Sequence, residues 1–423
     1  MTKNKHVLCV GFHASEAHAV DFDDHVVTAV MPKGSAARLP EEVAARFAAI
    51  ATFDLPDIDD LDNYDRAADT IRESAAELVA EFGAPDAIVG LYEHTTLPAA
   101  RLRDHFGVQG TNARSALLCR DKVAMKEALA EAGVRVPRHL AVDPGTPRDV
   151  LAEFAAAVPG RLVLKPRSQG ASMGVSVLGG AAELLAEHDA GRIEEGYEVE
   201  EFVDGDIYHS DGVVRDGKLI WYCPSRYATT AFSFQHERVP MVSVTPDDPG
   251  LVARMFDYAQ SVATALGLVD SAFHLELFHT PDDELVFLEI GNRFGGAGVP
   301  VHLREVFGVD MPREAVLACL GEPSELPGGP TMLDFPGIGA SGWLFVPLDE
   351  PGPCRVLEVR GLDDLPASVV HADTPAVGEL LNDPPDTWST AGRFFVAAGS
   401  TAEVERDLAA AAARYSITTK AEE

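Results

Sequence analysis

The chain has 423 residues, 46% of them hydrophobic, and its 34 basic and 67 acidic side chains give a formal net charge of −33. A chain of this length is expected to fold into two or three packed units rather than around one core. So acidic a surface repels nucleic acid and anionic membranes, which argues against both as partners. An anionic small ligand would need locally gathered cations, and only eight of the basic residues are lysines.

The five cysteines argue against a disulfide framework or a zinc site. They are odd in number and no two of them have CxxC spacing. This usage is typical of a reducing cytoplasm, so we expect a cytoplasmic protein. The first apolar run, His6–Gly11, is too short for a signal sequence or a membrane span.

Up to Gly107, short apolar runs alternate with helix-like stretches, a pattern that predicts a parallel sheet with helices. The predicted strands are Val7–Val10, Val26–Val30 and Ala87–Gly90, and the predicted helices are Tyr64–Phe82 and Leu97–Phe106. Glu93 follows the last of these strands. Ligands of open α/β sheets bind at this edge.

The middle of the chain favours an α+β region. A strong helix over Asp121–Ala132 is followed by seven strand-like runs from Val163 to Ile290. The segment Pro224–Pro240 shows no clear period and is interpreted as a long loop. Glu322–Gly339 is rich in Pro and Gly and predicts a linker, after which strand-like runs lead to a final helix over Ala402–Tyr415.

A pair of strands around Glu276 and Glu289 carries the strongest chemical signal. Alternation along the first strand puts His274 and Glu276 on one face, and a hairpin would bring Glu289 close to Glu276. Two adjacent carboxylates repel unless a cation lies between them, and Mg²⁺ prefers a few carboxylates with phosphate oxygens and water. Arg293 adds a planar fork suited to a phosphoryl group. Two exposed acids on an ordinary hairpin remain the simpler alternative.

Three further segments are weak when taken singly. Arg293–Gly298 is glycine-rich and exposes backbone N–H groups to an anion, although a plain flexible loop would have the same composition. Lys165–Val175 joins a strand-ending lysine to a loop of Gly and Ser, without the Gly-Lys-Ser/Thr ending of a Walker A loop. Glu198–Asp206 clusters acids at a strand end, which fits ribose hydroxyls or merely a solvated edge.

The order of these features is more specific than any one of them. Lys122, then Lys165 with its loop, then Glu200–Val203, then Glu276, Glu289 and Arg293 resembles the ATP-grasp superfamily, and within it the bacterial L-amino acid ligases. The resemblance implies a fold that combines α/β and α+β parts. A Rossmann-like N-terminal domain (1–115) would precede a lid region (116–200), a catalytic core (201–330) and a strand-rich C-terminal subdomain (331–423), with ATP clasped between antiparallel sheets.

The resemblance also implies a set of site residues. Those implied for ATP are Lys122, Lys165, Ser172, Glu200, Val203, Asp206 and His209. Glu276 and Glu289 would hold two Mg²⁺ ions, with Mn²⁺ as an alternative metal. The implied catalytic residues are Arg293 and Arg226, and those implied for the substrates are Glu93, His274, Gly295, Gly296 and Gly298.

The implied activity is ADP-forming ligation. A carboxylate of an amino acid would be phosphorylated by ATP, and an amine, itself of an amino acid, would attack the acyl phosphate in natural-product biosynthesis. A homodimer is expected from the family. The alternatives are another ATP-grasp ligase, such as a purine-pathway enzyme, and a non-catalytic ATP-binding protein. An NAD-dependent Rossmann enzyme is disfavoured because Gly11–Ala14 lacks the G-x-G-x-x-G turn.

Two positions depart from the pattern of the superfamily. Gly291 stands where many members carry a metal-binding Asn, with Asn292 one place late. Ile207 stands where many carry a ribose-binding Glu, and Asp206 is the nearest replacement. The sequence identifies neither the carboxylate nor the amine.

Overall fold

The chain begins with a small parallel sheet. The computed structural model describes residues 5–57, 60–170, 173–349, 352–382 and 389–422, so Ser172 lies outside the described residues. Four strands lie in the order β3-β2-β1-β4, and all their pairings are parallel. They are β1 His6–Val10, β2 Val26–Pro32, β3 Ala49–Phe53 and β4 Ala87–Val89. The predicted parallel sheet is confirmed, with β3 as an additional strand.

Six helices accompany this sheet. They are α1 Lys33–Ala37, α2 Glu41–Ala44, α3 Leu61–Arg66, α4 Ala68–Phe82, α5 Glu93–Phe106 and α6 Ala113–Leu118, with a 3-10 turn at Ala14–Ala19. The single helix predicted over Tyr64–Phe82 is divided at Ala67, which leaves α3 as a separate short helix. Helix α5 begins at Glu93, four residues earlier than predicted, because Thr95 and Tyr92 cap its first turn.

A second, antiparallel sheet lies in the order β5-β8-β6-β7. Its strands are β5 His139–Val142, β6 Leu162–Pro166, β7 Ser176–Leu178 and β8 Tyr197–Glu201. Helix α7 Lys122–Glu131 leads into it, and α8 Arg148–Ala157 and α9 Ala181–Asp189 cover it. Leu151, Leu184 and Val199 have no exposed surface and form the core of this unit.

The largest sheet has eight strands in the order β13-β12-β9-β10-β11-β14-β18-β16. The strands are β9 Asp206–Arg215, β10 Lys218–Thr229, β11 Met241–Val244, β12 Ser271–His279, β13 Leu285–Gly291, β14 Ala340–Pro347, β16 Val369–Asp373 and β18 Thr390–Ala398. The accompanying helices are α10 Ala231–Glu237, α11 Pro249–Ala265, α12 Val299–Phe307 and α13 Met311–Leu320. The long loop predicted over Pro224–Pro240 is therefore wrong, since β10 continues to Thr229 and α10 follows.

The end of the chain completes the large sheet. Strands β14 and β18 pair with each other, and α14 Thr401–Arg414 packs against both. A three-stranded sheet lies beside them, made of β15 Cys354–Arg360, β17 Leu380–Leu381 and β19 Ser416–Ala421. Within the described ranges, no helix is both long and apolar enough to cross a bilayer.

Candidate active site

A cavity of about 310 Å³ lies between the β5-β8-β6-β7 sheet and the edge of the eight-stranded sheet. Lys165, Val175 and Glu200 line it from the first sheet. The second sheet contributes Ile207, Glu276, Phe278, Leu288 and Glu289, and the segment between the sheets contributes Phe202, Val203 and Asp204. The cavity therefore offers an apolar interior with charged groups along one side, a combination typical of small-molecule sites.

Glu276 and Glu289 face each other across the β12–β13 pair. They are direct partners in the antiparallel register, with a bulge immediately after Glu276. Tyr227 donates a hydrogen bond to Glu276 Oε1 at 3.2 Å, and Lys122 Nζ lies 3.0 Å from Glu289 Oε2. Burial alone would raise the pKa of Glu289, but Lys122 and Lys165 outweigh it and lower the pKa to about 2. Both carboxylates are thus held close together on the wall of the cavity.

Buried charges on α7, β6 and β8 support the opposite wall. Lys165 Nζ lies 2.5 Å from Glu200 Oε1, and Lys126 Nζ contacts Glu198 Oε1 at 2.7 Å. Lys126 also contacts Glu200, so two lysines and two glutamates form one network. Burial opposes the charge on Lys165, yet Glu200 and Glu198 prevail and raise its pKa. Glu200 therefore holds Lys165 in place.

Arg293 is oriented by Glu93. Its Nε donates to Glu93 Oε2 at 2.9 Å, and its guanidinium also donates to the Phe294 carbonyl at 2.9 Å. Burial would lower the pKa of Arg293, but Glu93 raises it. A Cβ at position 291 would lie 2.9 Å from Glu93 Oε2 and 3.4 Å from Arg293 Nε, so glycine leaves room for this pair. The absence of an asparagine at position 291 thus has a steric reason.

Asn292 does not supply the side-chain amide that position 291 lacks. Its side chain accepts a hydrogen bond from Ser271 Oγ and lines a different, small cavity. Glu276 and Glu289 therefore lie at the cavity without the side-chain amide of position 291 or 292 beside them.

Asp211 connects the glycine-rich segment Arg293–Gly298 to strand β12. Its carboxylate accepts hydrogen bonds from His274 Nδ1 at 3.0 Å, His209 Nδ1 at 3.2 Å and the Gly295 backbone N–H at 2.8 Å. Burial would lower the pKa of His274, but Asp211 raises it to about 9. His274 Nε2 in turn lies 3.6 Å from Glu276 Oε1. One buried carboxylate thus connects the glycine-rich segment to Glu276.

Alanine at Gly295 is expected to disturb this connection. An added Cβ would lie 2.7 Å from both Asp211 Oδ1 and His274 Nδ1, closer than packed atoms tolerate. Overpacking of this kind costs about 1–3 kcal/mol, so we expect Gly295→Ala to lower the free energy of unfolding by that amount. Gly296→Ala is the matched control, because no atom lies within 4 Å of its Cβ position. Urea titration measures both, and equal stability of the two variants would contradict the assigned packing.

Four residues implied for ATP or for catalysis do not line the cavity: Arg226, Asp206, His209 and Arg293, of which Arg293 lines the same small cavity as Asn292. Arg226 pairs with Tyr208 in the register and contacts Glu405 on the face of the sheet opposite Glu276, so it is not brought to the cavity. Its neighbour Tyr227 lies on the other face of the strand and contacts Glu276. Asp206 lines a separate surface pocket with Asp283, and His209 is buried against Ser243, to which it bonds at 2.8 Å.

Four residues of the site were missed from the sequence. Lys126 lies one helical turn after Lys122, and Glu198 shares a strand face with Glu200, so their spacing is a signal that could have revealed them. Asp211 sits two residues after His209 on the same face. Tyr227 carries no such signal, because the segment Pro224–Pro240 lacks the alternation that predicts a strand.

The amino-acid sequence was compared with known families and proteins. No protein-family model matches the chain. An L-arginine-specific L-amino acid ligase of Bacillus subtilis is 25% identical over 255 residues, 57% of this chain, and the chain spans about 59% of the length of that relative.

Two solved structures share the fold. The L-amino acid ligase of Bacillus licheniformis superposes with a TM-score of 0.71 at 16% identity, with all of both chains covered. A phosphoribosylglycinamide synthetase from Anaerococcus prevotii gives a TM-score of 0.68 at 16% identity and covers 99% of this chain and 100% of its own. The fold is thus common to ligases with different substrates. The chain therefore has the ATP-grasp fold of these ligases, and it is similar in sequence to a bacterial L-amino acid ligase.

Proposed function

We propose that the protein is an ADP-forming ligase that joins the carboxylate of an amino acid to an amine, itself from a second amino acid. The pairing of Glu276 with Glu289 beside Lys122 and Arg293 carries this proposal. Glu276, Glu289 and Lys122 line the cavity, and Arg293 lies near enough to lower the pKa of Glu289, so the carboxylates and cations that a triphosphate would need are gathered in one region. The sequence similarity to an L-amino acid ligase favours this substrate class over the purine-pathway alternative.

The cavity suits ATP in both shape and charge. Its apolar part, between Val175, Phe278 and Leu288, would receive the adenine, whose edge would bond the backbone near Val203. Lys122 and Lys165 would contact the phosphates. They stand out because the chain as a whole is strongly acidic, so three of its eight lysines, Lys126 included, converge on this region.

Glu276 and Glu289 would hold Mg²⁺, and we propose two ions, with Mn²⁺ as a substitute. The donor set fits, because hard divalent cations favour carboxylate oxygens and Mg²⁺ shares them with phosphates and water. The metal would neutralise charge on the phosphates during transfer. Lys122, now paired with Glu289, would remain close enough to contact the phosphates.

The reaction would proceed in two steps. A substrate carboxylate oxygen forms a bond to the γ-phosphorus of ATP while the bond to the β,γ-bridging oxygen breaks, and ADP leaves. The amine nitrogen then attacks the acyl carbon, phosphate leaves, and the proton of the amine passes to solvent. Arg293, fixed by Glu93, would neutralise the transferring phosphoryl group, since such reactions depend on positioning and charge neutralisation. The backbone amides around Gly296 and Gly298 would bind a substrate carboxylate.

The products test the proposal directly. Purified protein with ATP, Mg²⁺ and pairs of amino acids should release ADP and phosphate and form a product of the summed mass less water. Reactions that lack one amino acid of the pair serve as controls. Release of AMP and pyrophosphate would contradict the proposal, because it indicates adenylation. We also expect a cytoplasmic homodimer and a role in natural-product biosynthesis, which sizing chromatography and product identification would examine.

A further inference from the structure

A second cavity, of about 400 Å³, lies at the carboxyl edge of the parallel sheet. It is separate from the nucleotide cavity, and the two share none of their lining residues. Its walls come from the segment after β1, from α1 and the residues that follow it, from α3, and from the first turn of α5. The residues that matter below are Phe12, Arg38, Leu61, Tyr64 and His94.

The position of this cavity is that of a ligand site in open α/β sheets. Strand β1 has β2 on one side and β4 on the other, and the chain builds β2 and β3 before it crosses to β4. The connections that leave β1 and β4 therefore diverge, and ligands bind in the crevice opened by such a divergence. Phe12 follows β1 and His94 follows β4, so the cavity occupies that crevice.

The residues that line this cavity carry no negative charge, although the protein as a whole is strongly acidic. None of these nine residues is Asp or Glu, although the chain carries 67 acidic side chains. Arg38, on the exposed rim, is the one permanent cation among them. Burial lowers the pKa of His94 to about 4, so this ring is neutral at pH 7. Phe12, Leu61 and Tyr64 supply apolar and aromatic surface.

The cavity also lies beside the catalytic arginine. Glu93 and His94 are consecutive residues in the first turn of α5. Glu93 pairs with Arg293, whereas His94 lines the cavity and lies against the ring of Tyr64. On α3, Leu61 and Tyr64 line the cavity. Asp62 of the same helix accepts a hydrogen bond at 3.2 Å from Ser168, which follows strand β6. Neighbouring residues of α5, and likewise of α3, therefore serve both the cavity and the groups around Arg293 and Ser168.

We propose that this cavity receives the side chain of one amino-acid substrate, and that it selects a large apolar or aromatic side chain against a basic one. The inference rests on the proposed function. The apolar surface of Phe12, Leu61 and Tyr64 favours such a side chain through burial, whereas the other part of the lining is polar. Arg38 and the lack of a carboxylate disfavour a basic one, because a cation would enter with no partner and with a like charge at the rim.

Two substitutions test the proposal. In each assay one amino acid of the pair is held constant, and kcat/KM for phenylalanine, alanine or arginine as the other is measured by phosphate release. Leu61→Trp fills part of the cavity and should lower kcat/KM for phenylalanine relative to alanine by at least about tenfold. Arg38→Glu, at an exposed position, should raise kcat/KM for arginine relative to phenylalanine. Arg72→Glu, an exposed charge reversal on α4 outside the cavity, is the matched control and should leave both ratios unchanged.

The outcomes separate this inference from the proposed function. Phosphate release by the wild type that favours arginine over phenylalanine would overturn the inference and leave the ligase activity intact. Unchanged ratios in both Leu61→Trp and Arg38→Glu, with active enzyme, would overturn it as well. No phosphate release by the wild type with any pair of amino acids would contradict the proposed function, and the inference with it.

Discussion

Replacement of Glu289 by glutamine is expected to abolish turnover while the chain stays folded. The variant keeps the volume of the side chain but removes the charge that faces Glu276 across the strand pair. Loss of one of two metal carboxylates should cost about 4 kcal/mol of transition-state stabilisation, which corresponds to about a thousandfold fall in kcat. The side chain is 30% exposed, and buried Lys122 keeps its hydrogen bond to the Gln169 carbonyl, so we expect a smaller change in stability than for a fully buried ion pair.

The measurement is phosphate release at saturating ATP, together with the shift of the thermal midpoint on addition of Mg²⁺ and ATP. We expect this shift in the wild type and not in Glu289→Gln. Glu284→Gln is the matched control, because it removes an exposed carboxylate from the turn of the same hairpin. Turnover by Glu289→Gln within tenfold of the wild type would show that the metal assignment is wrong.

Replacement of Lys126 by methionine is expected to destabilise the protein strongly. Lys126 has no exposed surface, and its amino group contacts both Glu198 and Glu200. Removal of one partner leaves buried charge without compensation, which costs about 3–5 kcal/mol. Because Glu200 also holds Lys165, the KM for ATP should rise more than kcat falls.

Urea denaturation followed by circular dichroism measures the change. Glu127→Gln, an exposed position on the same helix, should alter the free energy of unfolding by less than about 0.5 kcal/mol. The double variant Lys126→Met/Glu198→Met exchanges one buried pair for apolar groups and should recover a large part of the loss. A single variant as stable as Glu127→Gln would refute the role given to Lys126.

Much of the site was predictable because it depends on local alternation. The period of two along β12 and the turn after it predict that Glu289 lies close to Glu276, and the two residues are partners in the register, with a bulge directly after Glu276. The glycines after Arg293 predict backbone N–H groups that face an anion, and the N–H of Gly295 bonds the carboxylate of Asp211, for which Gly295 leaves space. Such features need only neighbours in the chain.

The remaining features depend on contacts between distant segments. Lys126 looks like an exposed helical lysine until β8 packs against α7, because nothing local shows that its partners are Glu198 and Glu200. The strand continuing through Arg226 was hidden by Pro224 and by a bulge between Leu219 and Trp221, which shifts the alternation. Because successive residues of a strand point to opposite faces, Arg226 lies on one face of the sheet and Tyr227 on the other.

The strand order of the large sheet has a consequence for synthesis of the chain. Strands β9 to β13, which carry Glu276 and Glu289, are all translated before residue 292, whereas β14 and β18 follow from residue 340 onward. Until those strands emerge from the ribosome, β11 is an open edge that can pair with another nascent chain. We therefore expect polypeptides truncated before β14 to retain the paired carboxylates and to aggregate through β11, so that the last fifth of the chain protects the sheet against misassembly.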